Sequence, residues 1–320
     1  MTASLPSDVQ AVFDRFITTE YTTVDVTGQP VTWPVTPYYE RGGTCIDVTT
    51  GLGYPKKAKD ARANPLVALL FSDPTGSGLT DAPMVLVQGS AEVDDLDLDA
   101  NRRRYVREAS AKLPATAKLM PPEAIQRWMA WYFARIYIHI RPERVYVWPS
   151  GDLTGEPQLY DAHMEEVRSG HSEEPERFHA TPAGGATAWD SRIEELGTGY
   201  PTAVLSIVSP DGFPFAVRAP VRADRGARLV RLEADPDSMP LQPGLACLAA
   251  HRHAPDFSWQ TNFQVRGDLQ REGDGWALTP HGLIGGFELP KSKLASLRAN
   301  VGKARRYHRV AKRELARRGR

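Results

Sequence analysis

Apolar and polar residues alternate with a period of two along much of this chain, in short runs broken by turns, which predicts strands rather than long helices. Residues 22–26 alternate, Thr-Gly-Gln-Pro turns the chain, and residues 31–35 return, a hairpin pattern. Glu40-Arg41-Gly42-Gly43 marks a second turn, followed by a strand over 45–49. Lys56–Ala63 fits a short helix that Asn64-Pro65 stops, and Leu66–Phe71 is an apolar strand. Residues 84–93 form the next strand, with a bulge expected at Gly89. Helices are expected over 97–113 and 122–133. The first begins with acids and continues into arginines, the polarity a helix dipole favours. Residues 136–148 alternate and close the unit.

From Tyr200 the order recurs. Gly212-Phe213-Pro214 stands where Gly28-Gln29-Pro30 stood, Ala246 to Ala249 matches Val67 to Leu70, and Val265-Arg266-Gly267 matches Val87-Gln88-Gly89. An internal duplication of one barrel-forming unit is the expectation. Its parts are a first barrel over 1–148, a polar linker over 149–188, a second barrel over 189–290 and a basic amphipathic helix over 291–320. The 26 glycines and 26 prolines suit many turns, and a hydrophobic share of 41% over 320 residues suffices for real cores.

Charge changes the picture only at the C-terminus. The chain sums to zero, which argues against a general nucleic-acid binder, yet residues 291–320 hold twelve Lys or Arg against Glu314 alone. Packing of that helix on the acidic remainder, or on a partner, is the simpler expectation; an anionic cofactor tail or nucleic acid is the sharper one. Cys45 and Cys247 lie in apolar stretches, too far apart in sequence to suggest a zinc site. No metal site is expected. The start lacks a signal-peptide pattern, and no run reaches the ~18 apolar residues of a membrane helix, so a cytoplasmic protein is expected.

The strongest chemical signal is the stretch from Thr49 to Pro65. A strand ends at Thr49-Thr50, a glycine turn follows, and Lys56, Lys57 and Lys59 arrive as a helix begins. Free amides and ammonium groups together suit a phosphate, though a solvated basic turn has the same composition. Lys56-Lys57-Ala58, then Asn64-Pro65-Leu66-Val67-Ala68-Leu69-Leu70-Phe71, with the Gly28-Gln29-Pro30 hairpin and the Val87-Gln88-Gly89 strand, resembles the pyridoxamine 5′-phosphate oxidase-like family over residues 10–148.

That resemblance implies a mainly β (α+β) protein, here two split β-barrels in tandem with flanking helices. It implies a flavin-dependent oxidoreductase binding FMN or the deazaflavin F-420 and acting on a small molecule. Lys56 and Lys57 would hold the phosphate, with Thr49 and Thr50 beside it. Trp33 and Val35, in the 33–36 segment, would contact the ring, as would residues 84–88 including Gln88. The resembled oxidases place an arginine where Thr32-Trp33-Pro34-Val35 stands here, which leaves FMN against deazaflavin open and gives no case for pyridoxamine phosphate. The second unit carries acidic residues over 235–240 in place of the lysine turn, so one site per chain is expected. Within a homodimer, or an intramolecular pseudo-dimer of barrels, the second barrel would wall that site. His251, Arg252, His253 and Trp259 are candidates for the substrate side. The alternatives are a non-catalytic flavin- or haem-binding barrel and, third, a nucleic-acid partner using the tail. No Ser-His-Asp, Cys-His or paired-carboxylate arrangement stands out.

Overall fold

The computed structural model describes residues 5–113, 117–118, 120–153, 155–161, 188–233, 239, 241–286 and 293–318, the last helix with side chains from Arg305 onward. The first half opens with helix α1 (Ser7–Arg15). Strands β1 (Thr19–Val24), β2 (Pro30–Val35), β3 (Tyr38–Tyr39) and β4 (Ile46–Gly51) follow. Helix α2 (Lys56–Ala63) leads into β5 (Leu66–Phe71) and β6 (Met84–Asp94). Helices α3 (Leu98–Lys112), α4 (Glu123–Trp128) and α5 (Ala130–Phe133) precede β7 (Arg135–Trp148). The predicted helix over 122–133 is thus two short ones. The stretch expected as linker adds one strand, β8 (Gln158–Asp161), on the edge of β7; residues 162–187 lie outside the described residues.

The second half contains β9 (Thr202–Val208), β10 (Pro214–Asp224), β11 (Leu229–Leu232), β12 (Gly244–His253), β13 (Gln260–Glu272) and β14 (Gly275–Gly285), then helix α6 (Lys293–Arg317). Strand order shows the duplication directly. The first sheet runs β2-β1-β5-β6-β7-β4-β3, and the second runs β10-β9-β12-β13-β14-β11, the same order for six strands, with β3 having no counterpart. Both hairpin glycines hold positive φ, 79° at Gly28 and 88° at Gly212, where a side chain would be strained. Each unit bulges at its matching glycine, between Gln88 and Gly89 and between Arg266 and Gly267. A Cβ on Gly89 would lie 2.1 Å from the Arg141 carbonyl oxygen, and one on Gly267 2.4 Å from that of Thr279.

The units differ at one seam. In the second, β10 pairs with β11 and the barrel closes. In the first, β2 and β4 do not pair; β4 takes the short β3 as its outer neighbour instead. The seam left open is where a ligand can enter. The acidic stretch over 235–240, expected opposite the lysine turn, lies outside the described residues apart from Met239.

The barrels meet face to face. Ala68, Leu70, Met84, Leu86 and Trp148 of the first share one core with Val204, Phe215, Leu248 and Phe263 of the second. Alternate residues of the same strands, Val67, Leu69, Val85 and Val87, fill the first barrel's own core. Polar links cross the joint: Thr32 Oγ1 to Ser206 Oγ at 2.5 Å, and Gln29 Nε2 donating to the Ala246 oxygen at 2.9 Å. At its buried edge Glu20 accepts from Arg218 at 2.8 Å and pairs with His251 at 2.6 Å. The basic helix α6 docks on the first barrel. Ala311 enters that core, Glu314 accepts from Lys59 at 2.7 Å, and Arg318 and Arg62 both pair with Asp95 at 2.6 Å.

Candidate functional site

A cleft of about 430 Å³ opens at the unclosed seam. Trp33, Val35 and Thr36 line one side, and β2 changes from buried to half-buried at Trp33. Thr49, Tyr54, Lys56 and Lys57 line another, Tyr105, Tyr132 and Arg135 the floor. The second barrel supplies Phe257, Gln260, Asn262, Arg266 and the end of β14, and α6 supplies Arg306 and Tyr307. None of the described lining residues is acidic.

The two adjacent lysines do different things. Lys56 pairs with Asp60 at 3.0 Å and Asp25 at 3.4 Å, so its charge is already met. Lys57, one step round the helix, turns to the cleft, its Nζ 5.5 Å from the Tyr54 ring centroid, and has no carboxylate partner among the described residues. Burial, and then the neighbouring Arg135 charge, push its pKa down to about 8, with Asp60 pulling the other way.

Arg135 begins β7 with only 5% of its surface exposed. Its guanidinium lies 3.8 Å from the Tyr105 ring centroid and 4.2 Å from that of Tyr132, and it donates to the Tyr54 hydroxyl at 3.3 Å. It too has no carboxylate partner among the described residues, and its Nε is buried without a hydrogen bond. Burial raises two of the phenols around it, Tyr105 well above its ordinary value and Tyr54 to about 12, so both stay neutral near pH 7. A buried cation caged by aromatic rings, with a donor left over, is arranged for an incoming anion.

Of the residues expected from the sequence, Trp33, Val35, Thr49, Lys56 and Lys57 line the cleft. Thr50 does not. The period of two that exposes Thr49 buries its neighbour, whose hydroxyl donates to the Tyr54 carbonyl at 2.8 Å and pins the turn. Nor do Gln88 and the rest of 84–88. Central β6 is covered on both faces, and the Gln88 amide donates across the joint to the Pro214 oxygen at 2.8 Å. His251 is held by Glu20 and Arg218, and His253 stands behind Thr18, 3.1 Å from its hydroxyl. Arg252 caps the Tyr200 ring at 4.6 Å. Residues near them, Phe257 and Gln260, take the wall position instead.

Arg135, Tyr105, Tyr132, Arg266, Arg306 and Tyr307 went unforeseen. One signal existed: the aromatic run ending at Phe133 leads straight to Arg135, though read alone it looks like helix core. Here Phe133 is buried, Tyr132 faces the cleft, Trp131 stacks on Tyr307 at 5.7 Å, and Trp128 is exposed. Gly53 has a local reason: a Cβ there would lie 2.8 Å from the Tyr307 Cβ, so glycine lets α6 close over the turn. No group of metal-ligating side chains occurs among the described residues, and no helix among them is long and apolar enough to cross a membrane.

No protein-family model matches the chain, and no curated protein matches it. Solved structures similar to it include a Clostridium acetobutylicum protein of the pyridoxinephosphate oxidase family, related to general stress protein 26. That protein is 9% identical, covering 48% of this chain and 92% of that one, with a TM-score of 0.34. An F-420 reductase is 20% identical, covering 44% and 98%, also at 0.34. A Mesorhizobium loti FAD-binding protein is 18% identical, covering 45% and 94%, at 0.31. Each covers a little under half of this chain. At these values the likeness assigns no residue a role, and the tandem barrel rests on the strand pairing above.

Proposed function

We propose that the cleft binds a phosphorylated flavin-type cofactor, FMN or the deazaflavin F-420, and that the protein is an oxidoreductase acting on a small molecule. The observation that carries this reading is the pair Lys57 and Arg135, two cations with no carboxylate partner among the described residues, in a cleft walled by aromatic and aliphatic side chains. A volume near 430 Å³ lies in the range of small-molecule sites. The phosphate pairs with Lys57 and Arg135, while the Trp33–Val35 edge and the tyrosines flank the ring. The second barrel and α6 wall off water, so one chain supplies the surfaces of a two-barrel site.

When bound, the cofactor supplies hydride transfer at its ring; the chain's residues position it and set the field around it. No side chain in the cleft is assigned as acid or base. The haem alternative finds no His, Cys or Met among the described lining residues, and burial keeps Tyr54 and Tyr105 protonated.

Fluorescence titration of the purified protein with FMN and with F-420 tests the reading. A charge-assisted hydrogen bond contributes about 1.5–3 kcal/mol, so Lys57→Ala and Arg135→Gln should each weaken binding roughly ten- to a hundredfold. Lys56→Ala, whose charge is spent on Asp25 and Asp60, should weaken it far less. No binding of either cofactor, or equal losses at Lys56 and Lys57, would overturn it. A protein that binds but supports no turnover with any reductant points to the non-catalytic alternative.

A further inference from the structure

Lys57 combines three features that bear on the reactivity of its amine as well as on anion binding. It opens on a cleft large enough for a small molecule, it has no carboxylate partner among the described residues, and a buried guanidinium stands close by. The last two disfavour the ammonium form. An amine that sheds its proton near neutrality beside a fixed cation is arranged as a nucleophile toward an anionic carbonyl compound. The charged and titratable groups that line this cleft are Arg135 from β7, Lys56 from α2, Tyr54 before it, Tyr38 from β3, Tyr105 and Tyr132 from the floor, Arg266 from β13, and Arg306 and Tyr307 from α6, while Asp60 of α2 acts on Lys57 from outside the lining.

We propose that Lys57 is a carbonyl-reactive residue that condenses reversibly with a small phosphorylated aldehyde whose phosphate pairs with Arg135. The neutral Nζ attacks the carbonyl carbon, and its two protons pass in turn from nitrogen to the former carbonyl oxygen. That oxygen then leaves as water, forming a C=N bond; amine and aldehyde give imine plus water. No oxidant or reductant enters. The proposal does not rest on the cofactor reading, and bound FMN would block it.

Three lysines separate a built site from an isolated shift. Lys56 is paired with two acids. Lys112 shares a lowered pKa of about 8, but it donates to the Pro37 carbonyl at 2.7 Å and does not line the cleft. At pH 8 an amine with a pKa near 8 has on the order of a hundred times more free base than an ordinary lysine.

The test is trapping of full-length protein by cyanoborohydride with glyceraldehyde 3-phosphate, and separately with uncharged glyceraldehyde, with peptide mapping. The expected result is Lys57 labelled at least tenfold faster than Lys56 or Lys112 by the phosphorylated probe. The rate should be half-maximal near pH 8, be suppressed by inorganic phosphate, and show little selectivity with glyceraldehyde. Arg135→Gln should move the midpoint upward and remove the preference for the phosphorylated probe; Lys57→Arg should abolish labelling with the fold intact by circular dichroism. Equal labelling of Lys57 and Lys112, or a Lys57 rate that rises only towards the ordinary lysine pKa, would overturn the proposal. FMN titration of the same sample keeps the two readings apart. Selective labelling without FMN binding sinks only the cofactor reading; FMN binding without labelling sinks only this one.

Discussion

Replacing Arg218 by Met tests what holds the two barrels together. Glu20 sits on β1 with no exposed surface, and its Oε1 accepts from Arg218 Nη2 at 2.8 Å and lies 2.6 Å from His251 Nε2. Its Oε2 accepts from Ser72 at 2.9 Å. Arg218 also donates to Ser72 at 2.9 Å and Thr202 at 3.2 Å, so one guanidinium links β10 to β1, to Ser72 just beyond β5, and to β9. Breaking a buried ion pair by removing one partner costs about 3–5 kcal/mol, because the remaining charge stays buried. Here His251 and Ser72 remain, so the loss should fall near the low end, about 3 kcal/mol. Urea denaturation followed by tryptophan fluorescence reads it as a lower midpoint at unchanged slope.

The sign of the pH effect follows from the same groups. Burial alone would raise the Glu20 pKa, but Arg218 and His251 hold it below 4.5. Its contribution is therefore present above the ordinary carboxylate pKa and lost as pH falls through the lower folded value. His253, lowered from 6.5 chiefly by burial, adds a loss that begins as pH falls below 6.5. Arg218→Met should thus flatten the carboxylate part of the acid limb as well as lower stability. A change below about 1 kcal/mol at pH 7, with the acid limb intact, would refute the claim that this network joins the barrels.

Gly89→Ala and Gly267→Ala should each cost about 1–3 kcal/mol in a denaturation midpoint, since the added carbon meets backbone oxygen in both bulges. Glu314→Ala removes the carboxylate that gathers Lys59 and Arg318, so trypsin should cut within α6 sooner and cofactor affinity should fall, although Glu314 does not line the cleft. His139 is raised above 6.5 chiefly by its hydrogen bond to Asp47 at 2.7 Å. Its contribution is full below 6.5 and lost as pH rises through the higher folded value, so His139→Gln should weaken the protein at about pH 5.5 and little at about pH 8.5.

Local pattern was enough for the parts of this protein whose causes are local. The Gly28 and Gly212 hairpins, the bulge at Gly89, α2 stopped by Asn64-Pro65, and the recurrence of one strand order were all legible. Each depends on residues a few positions apart or on one glycine conformation. Asp60 lies one helical turn on from Lys56, but only the tertiary structure brings Asp25 to the same lysine and turns Lys57 to the cleft. The tertiary structure alone assembled the cleft, because Lys57, Arg135, Arg266 and Arg306 come from four elements spread over most of the chain. It also moved His251 from an expected pocket wall to a buried joint, since its partner Glu20 lies 231 residues away. Strand periodicity assigns a side chain to a face; which charges meet across that face depends on how the two barrels and the last helix pack.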